Sequence, residues 1–259
     1  MAIVPMTHLC TLFDVNAFLL PAAAVDTTRW LGEAATAATT LLAAARSAVD
    51  AGDMGDANDA ARCAVEVAGP AATEAARTAC LVLDRDPALA PSWIRAAAAF
   101  LHLAATTLEA AAAAKAAVAV TNANTHTRHY LALEACLTMA RRRADDADGA
   151  YIAARDAGDS RRDAPVMHRH AARAMLRART GATAAQSMAA SVFPTTPVSA
   201  AVVTAQELRV LGGAFRLFAE AATSAMLAQA LLPPGAVGAE GEVHDTTSDT
   251  DTEPWDSEA

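Results

Sequence analysis

Residues Cys80 to Tyr130 read CLVLDRDPALAPSWIRAAAAFLHLAATTLEAAAAAKAAVAVTNANTHTRHY. An apolar helical run ends at Leu81-Val82-Leu83, and Asp84-Arg85-Asp86-Pro87 breaks it. Pro91-Ser92-Trp93 opens the next helix, which runs to about Leu103. After Thr106-Thr107 a second helix runs to about Val120, and Thr121-Asn122-Ala123-Asn124 breaks the chain again. The punctuation recurs. Breaks near Asp50–Asp53, Pro87, Asn124, Arg161 and Pro197 are spaced by about 37 residues. A second series, near Gly69-Pro70, Thr106-Thr107, Ala144-Asp145 and Gly181, keeps the same interval. Two interleaved series with one period predict stacked helix–turn–helix repeats, an all-α short solenoid.

Composition agrees with that class. The chain has 259 residues, enough to bury a sizeable core, and alanine makes up more than a quarter of them. Alanine costs least in a helix and lets helix axes approach closely. Aromatics are only 4% of the chain, so many small contacts must replace a few large anchors. The net charge of −9 is unevenly placed: eight acidic residues and no Lys or Arg lie between Glu240 and Glu258. The rest is close to neutral, which offers nucleic acid no large basic footprint. Cys10, Cys63, Cys80 and Cys136 show no CxxC spacing, and the last three sit on apolar helical faces. Buried thiols in a reducing, cytoplasmic setting are the expectation.

Along the chain, residues 1–26 form an apolar N-terminal segment. Its Leu19-Leu20-Pro21-Ala22-Ala23-Ala24 resembles the end of a signal peptide. No Lys or Arg precedes it, and His8, Asp14 and Asn16 interrupt the run, so packing on the first repeat is the preferred reading. Residues 27–232 form the helical-repeat domain. Its expected helices are about 29–49, 57–68 with 71–83, 91–103 with 107–120, 125–143 with 145–157, 164–179 with 183–192, and a long one over 200–232 that Gly212-Gly213 kinks. No uninterrupted run reaches the roughly 18 apolar residues of a membrane span. Residues 233–259 are expected to be a disordered acidic tail, with too little apolar surface to offset ordering entropy.

The unit from Trp93 resembles a tetratricopeptide repeat, a helix-pair family with a usual period of about 34 residues. Trp93, Ala97 and Phe100 match its first helix, and Ala110 and Ala117 its second. Steps of about 37 residues give Tyr130, Glu134, Leu137, Ala147 and Ala154, then Met167, Ala171, Ala174, Ala184 and Ser191. A step back gives Asp56, Ala60, Cys63, Thr73 and Cys80. Glu134 and Asp56 depart from the pattern. The resemblance covers roughly 56–203 and implies a non-enzymatic adaptor or scaffold that binds a peptide or protein partner. Family members that grip a chaperone's terminal carboxylate use Lys, Arg and Asn in the groove. The positions here are Ile94, Ala98, Leu101 and His102, a mostly apolar surface unsuited to a carboxylate clamp. Ile94, Leu101 and His102 are therefore expected to meet a partner.

Chemical motifs are few. His126 and His129 share a helix start, but no acidic or cysteine ligand has supporting spacing, so no metal is expected. Asp145-Asp146-Ala147-Asp148-Gly149 fails as a calcium loop, because the opening ligand falls on Ala144 and the closing one on Arg155. An Asp-rich helix start explains it. No phosphate loop, GxSxG elbow or HExxH occurs, and no cofactor or catalytic residue is assigned. Half of the arginines lie between Arg141 and Arg179, among them Arg141, Arg142, Arg143, Arg169 and Arg173. They read as a solvated face or as a docking patch for an acidic ligand, including the chain's own tail. Nucleic acid fits less well, because no aromatic stacking platform accompanies the charge. In the tail, Thr246, Ser248 and Thr250 each precede an acidic residue by three positions, a pattern resembling acid-directed kinase sites. Glu253-Pro254-Trp255-Asp256 sets one aromatic among acids, which marks Trp255 as a partner-binding residue. The alternative to an adaptor is a compact helical bundle with a structural or assembly role, a viral source among the options.

If the tail contributes nothing to the fold, a chain ending at Pro234 keeps its full helical signal in circular dichroism. Loss of helicity on truncation would make the tail part of the folded body.

Overall fold

The computed structural model describes residues 20–84, 91–118, 128–159, 164–193 and 203–232, without the side chains of 20–25, 128–130 and 159. Most of the N-terminal segment with Cys10, the breaks at Pro87, Asn124, Arg161 and Pro197, His126, and the acidic tail with Thr246, Ser248, Thr250 and Trp255 lie outside the described residues. So does the His129 side chain. The described residues form six helices and no strand: α1 (Leu20–Asp50), α2 (Met54–Leu83), α3 (Pro91–Val118), α4 (Arg128–Asp159), α5 (Ala164–Val192) and α6 (Ala205–Ala230). The protein is all-α.

The helix ends follow local chemistry. Past the end of α1, Gly52 takes φ 78°, the left-handed conformation glycine adopts without a Cβ penalty. Its amide donates to the Val49 carbonyl, and that of Asp53 donates to Ala48 at 2.9 Å. The last carbonyls of α1 are thereby satisfied. Asp53 then caps α2, its carboxylate accepting from the Asp56 amide at 3.0 Å. Thr204 and Glu207 form a reciprocal capping box on α6. Within the helices, threonines satisfy themselves locally. Thr107, fully buried, donates its hydroxyl to the Leu103 carbonyl at 2.8 Å.

Of the first series of expected breaks, the one near Asp50–Asp53 falls between α1 and α2; none of the second series falls between helices. Gly69-Pro70, Thr106-Thr107, Ala144-Asp145 and Gly181 all lie inside continuous helices, α2, α3, α4 and α5. The expected short pairs are therefore single helices of 28 to 32 residues. The interval of about 37 residues is the length of one long helix plus its connection. Pro70 has no amide hydrogen for the Glu66 carbonyl, yet α2 continues through it. Burial on both sides outweighs that loss: Ala68, Gly69, Ala71 and Ala72 are all buried. Gly212 and Gly213 also leave α6 continuous.

The packing consists of two triads. Helices α1, α2 and α3 touch one another, as do α4, α5 and α6. The triads join through α3 against α6 and α2 against α5. Both joining pairs run antiparallel. On one, Gly212 faces Leu108 while Arg95 reaches Met226; on the other, Arg179 reaches Leu83 while Gly69 faces Phe193.

Both helices of the main joining pair carry large buried side chains. Phe100, Leu101 and Leu108 of α3 and Leu208, Leu211, Phe215 and Phe218 of α6 are among the most completely buried. Trp93, by contrast, is half-buried at the core's edge. Elsewhere the interfaces are mainly alanine. By length and composition α3 and α6 each suffice to cross a bilayer, although polar and charged residues interrupt their apolar runs. Alanine, glycine and threonine separate their larger apolar residues without adding many charges. In the fold, 61% of each apolar window is buried.

A Cβ on Gly181 would stand 2.9 Å from the ring of Phe218, itself 1% exposed. Gly181→Ala is therefore expected to destabilise the fold by about 1–3 kcal/mol through overpacking. Chemical denaturation should show an earlier midpoint at unchanged slope.

Candidate partner-binding site

Helices α4 and α5 form an antiparallel hairpin whose two ends pack differently. Towards the tip, alanines and short side chains close the interface: Ala147, Ala150 and Ala154 are buried, and Met167 packs beside Gly158. Towards the other end the helices leave a cleft of about 530 Å³. That volume falls within the roughly 300–1,000 Å³ typical of ligand clefts. Its α4 wall carries Leu133, Cys136 and Met139, and its α5 wall carries Thr183, Ala184, Ser187 and Met188. The α5 wall is the short one, with Thr180, Thr183, Ala184, Ser187 and Ser191 lining the cleft beside Leu133, Cys136 and Met139 of α4. Leu133 and Met188 are buried at its floor, while Thr183, Ser187 and Ser191 are exposed along its rim.

Arg143 and Arg179 close one end of the cleft. Arg179 is positioned from a third helix: its Nε donates to the Leu83 carbonyl at 2.6 Å. That carbonyl belongs to the last turn of α2, where a cation also meets the negative end of the helix dipole. One turn further along the hairpin, Asp146 of α4 accepts from Arg173 and Arg177 of α5. Burial raises the Asp146 carboxyl, but hydrogen bonds and charge from the two guanidinium groups outweigh it and hold the group below its usual 3.8. Asp146 thus clamps the two helices. It lies well inside α4 and is no helix start, correcting the sequence expectation.

Burial pushes the Cys80 thiol up to about 11, reinforced by the charge of Asp84 and eased by a hydrogen bond with Thr183. It therefore stays protonated near neutrality and is a poor nucleophile. Cys63, Cys80 and Cys136 are free thiols. Cys80 is buried as expected, whereas Cys63 and Cys136 are half-buried. Among the described residues no group of three or more His, Cys, Asp or Glu side chains is placed to hold a metal ion.

The structure separates the site residues read from the sequence. Ile94 and Leu101 are 1% and 0% exposed, so they belong to the core and present no surface to a partner. That expectation is corrected: it assigned to solvent a face of α3 that the other helices cover. His102, on the same helix, is exposed. Arg141 and Arg142 are exposed on α4 and Arg169 on α5, whereas Arg143 is half-buried at the cleft. Arg173 is engaged by Asp146. The residues that shape the cleft, above all Leu133, Met139, Ser187 and Met188, were not singled out by sequence. Their spacing is that of any amphipathic helix, and a cavity made by short side chains leaves no motif.

Comparison of this chain with family models, curated proteins and solved structures finds no match. The tetratricopeptide resemblance thus stands on the sequence pattern alone.

The Asp146 clamp gives a pH signature. A depressed folded pKa contributes stability above the group's ordinary value and loses it as pH falls through the folded value. Asp146→Asn should cost about 1 kcal/mol at neutral pH, the upper end for a partly exposed pair. In thermal melts the gap between the two proteins should stay constant down to about pH 4 and close below it.

Proposed function

We propose that this chain is a non-enzymatic interaction protein, an adaptor that holds a protein segment in the cleft between α4 and α5. The observation that carries the reading is the cleft's composition. An apolar floor of Leu133, Met139 and Met188 runs up to two guanidinium groups, Arg143 and Arg179. Among the described residues its lining offers hydroxyls, one thiol and guanidinium groups, without carboxylate or imidazole. Methionine and alanine walls accept varied apolar shapes, and the arginines favour acidic neighbours in the bound segment. The fitting partner is a peptide with an aromatic or apolar anchor next to acidic residues. A reducing, intracellular setting goes with this reading, because three free thiols stand at or near helix interfaces.

A second reading, a structural or assembly protein, draws on the two interlocked triads. A body closed through α3 against α6 suits a building block better than a flexible scaffold.

Carbon-13 labelling of the methionine methyls tests the first reading. Met139 and Met188 should shift when a peptide carrying one tryptophan between glutamates is added to saturation. A version with lysines in place of the glutamates should leave them unmoved. Methyls that ignore both peptides would favour the building-block reading.

A further inference from the structure

Resting on the cleft reading above, we infer that the cleft's occupant is the chain's own acidic stretch, with Trp255 as the anchor and its neighbouring acids on Arg143 and Arg179. The protein is then autoinhibited: an outside partner must displace Trp255.

Charge complementarity is the first ground. The acidic residues from Glu240 to Glu258 account for nearly all of the chain's net charge of −9. The cleft's arginine end continues onto exposed Arg141 and Arg142 on α4. Arg179 has its fork oriented by the bond from Nε to Leu83, a preorganisation that suits bidentate carboxylate recognition.

Chemical fit is the second. Trp255 lies between Pro254 and Asp256, with Glu253 one residue before the proline. Its indole suits a pocket walled by Met139, Met188 and the Cys136 sulfur, because thioethers and thiols contact aromatic rings favourably. An arginine at the pocket's end adds attraction to the ring face.

Reach is the third. Helix α6 runs beside the cleft's own helices, Gly213 facing Leu137 of α4 and Phe218 facing Gly181 of α5. From Gly213 to Ala230 the helix advances about 25 Å away from that level. Residues 233–254 span up to about 70 Å when extended, so Trp255 returns to the cleft with length to spare. Tethering raises the local concentration of the anchor to around millimolar, enough to fill a weak site.

Fluorine NMR on the full chain labelled with 5-fluorotryptophan tests this. Trp30, Trp93 and Trp255 give three resonances, assigned by single Trp→Phe substitutions. The Trp255 resonance should differ from that of a free peptide of residues 246–259. It should move to the free position in Ser187→Phe, which fills the cleft from its exposed rim. A variant that leaves the body untouched, Glu253→Gln with Asp256→Asn, should move it part of the way. Added 246–259 peptide should bind Trp255→Ala at least about tenfold more tightly than the unaltered chain, where the tether competes.

Three results would overturn the inference, and they differ. A Trp255 at the free position, with equal peptide affinity for both proteins and loss of binding in Ser187→Phe, keeps the cleft and assigns it to an outside partner. Absence of peptide binding to either protein removes the cleft reading as well. A Trp255 shift that grows with protein concentration means that the anchor enters a second copy, not its own chain.

Discussion

The distance between α3 and α6 governs the rest of the molecule. At their crossing Gly212 stands where a Cβ would lie 3.1 Å from Glu109 and 3.3 Å from Leu108. Phe100, Leu101 and Leu108 of α3 and Leu208, Leu211 and Phe215 of α6 are all completely buried. Arg216 and Glu109 pair across the same seam, Nε to Oε1 at 3.0 Å, which sets the two helices in register. Move α6 outward and both triads lose their common wall. The α4–α5 hairpin is carried on that wall, so the cleft's position depends on a contact far from its lining.

The α4–α5 hairpin is held tightly at one level and left open at the next. Asp146 between Arg173 and Arg177 fixes the helices, and just beyond it the α5 side of the interface shortens to alanine, serine and threonine. Arg173 and Arg177 therefore hold the hairpin, while Arg143 and Arg179 line its opening.

Much of the architecture was legible in the sequence. Alanine content indicated helices, and the breaks near Asp50–Asp53 fall where Gly52 and Asp53 end one helix and cap the next. The interval of about 37 residues was real. Its meaning was misread, because Gly69-Pro70 and Gly181 have the chemistry of breaks but serve as sites of close approach within helices. Local propensity cannot distinguish a glycine that ends a helix from one that admits Phe218 from another. The same limit hid the burial of Ile94 and Leu101. An apolar helix face shows that something covers it, not whether that is another helix of the chain or a partner. The cleft was the least legible feature, since it is defined by the absence of side-chain volume across two helices far apart in the chain.

An interior built largely of alanine has a thermal consequence. Each buried methyl removes less apolar surface from water than a leucine would, while the helices still satisfy their peptide groups. The heat capacity of unfolding rises with apolar exposure and falls with polar exposure. Per residue, this fold gains little of the first and a full share of the second. Its free energy of unfolding should thus vary with temperature along a broad, shallow dome, with less weakening in the cold than a leucine-rich bundle of equal length.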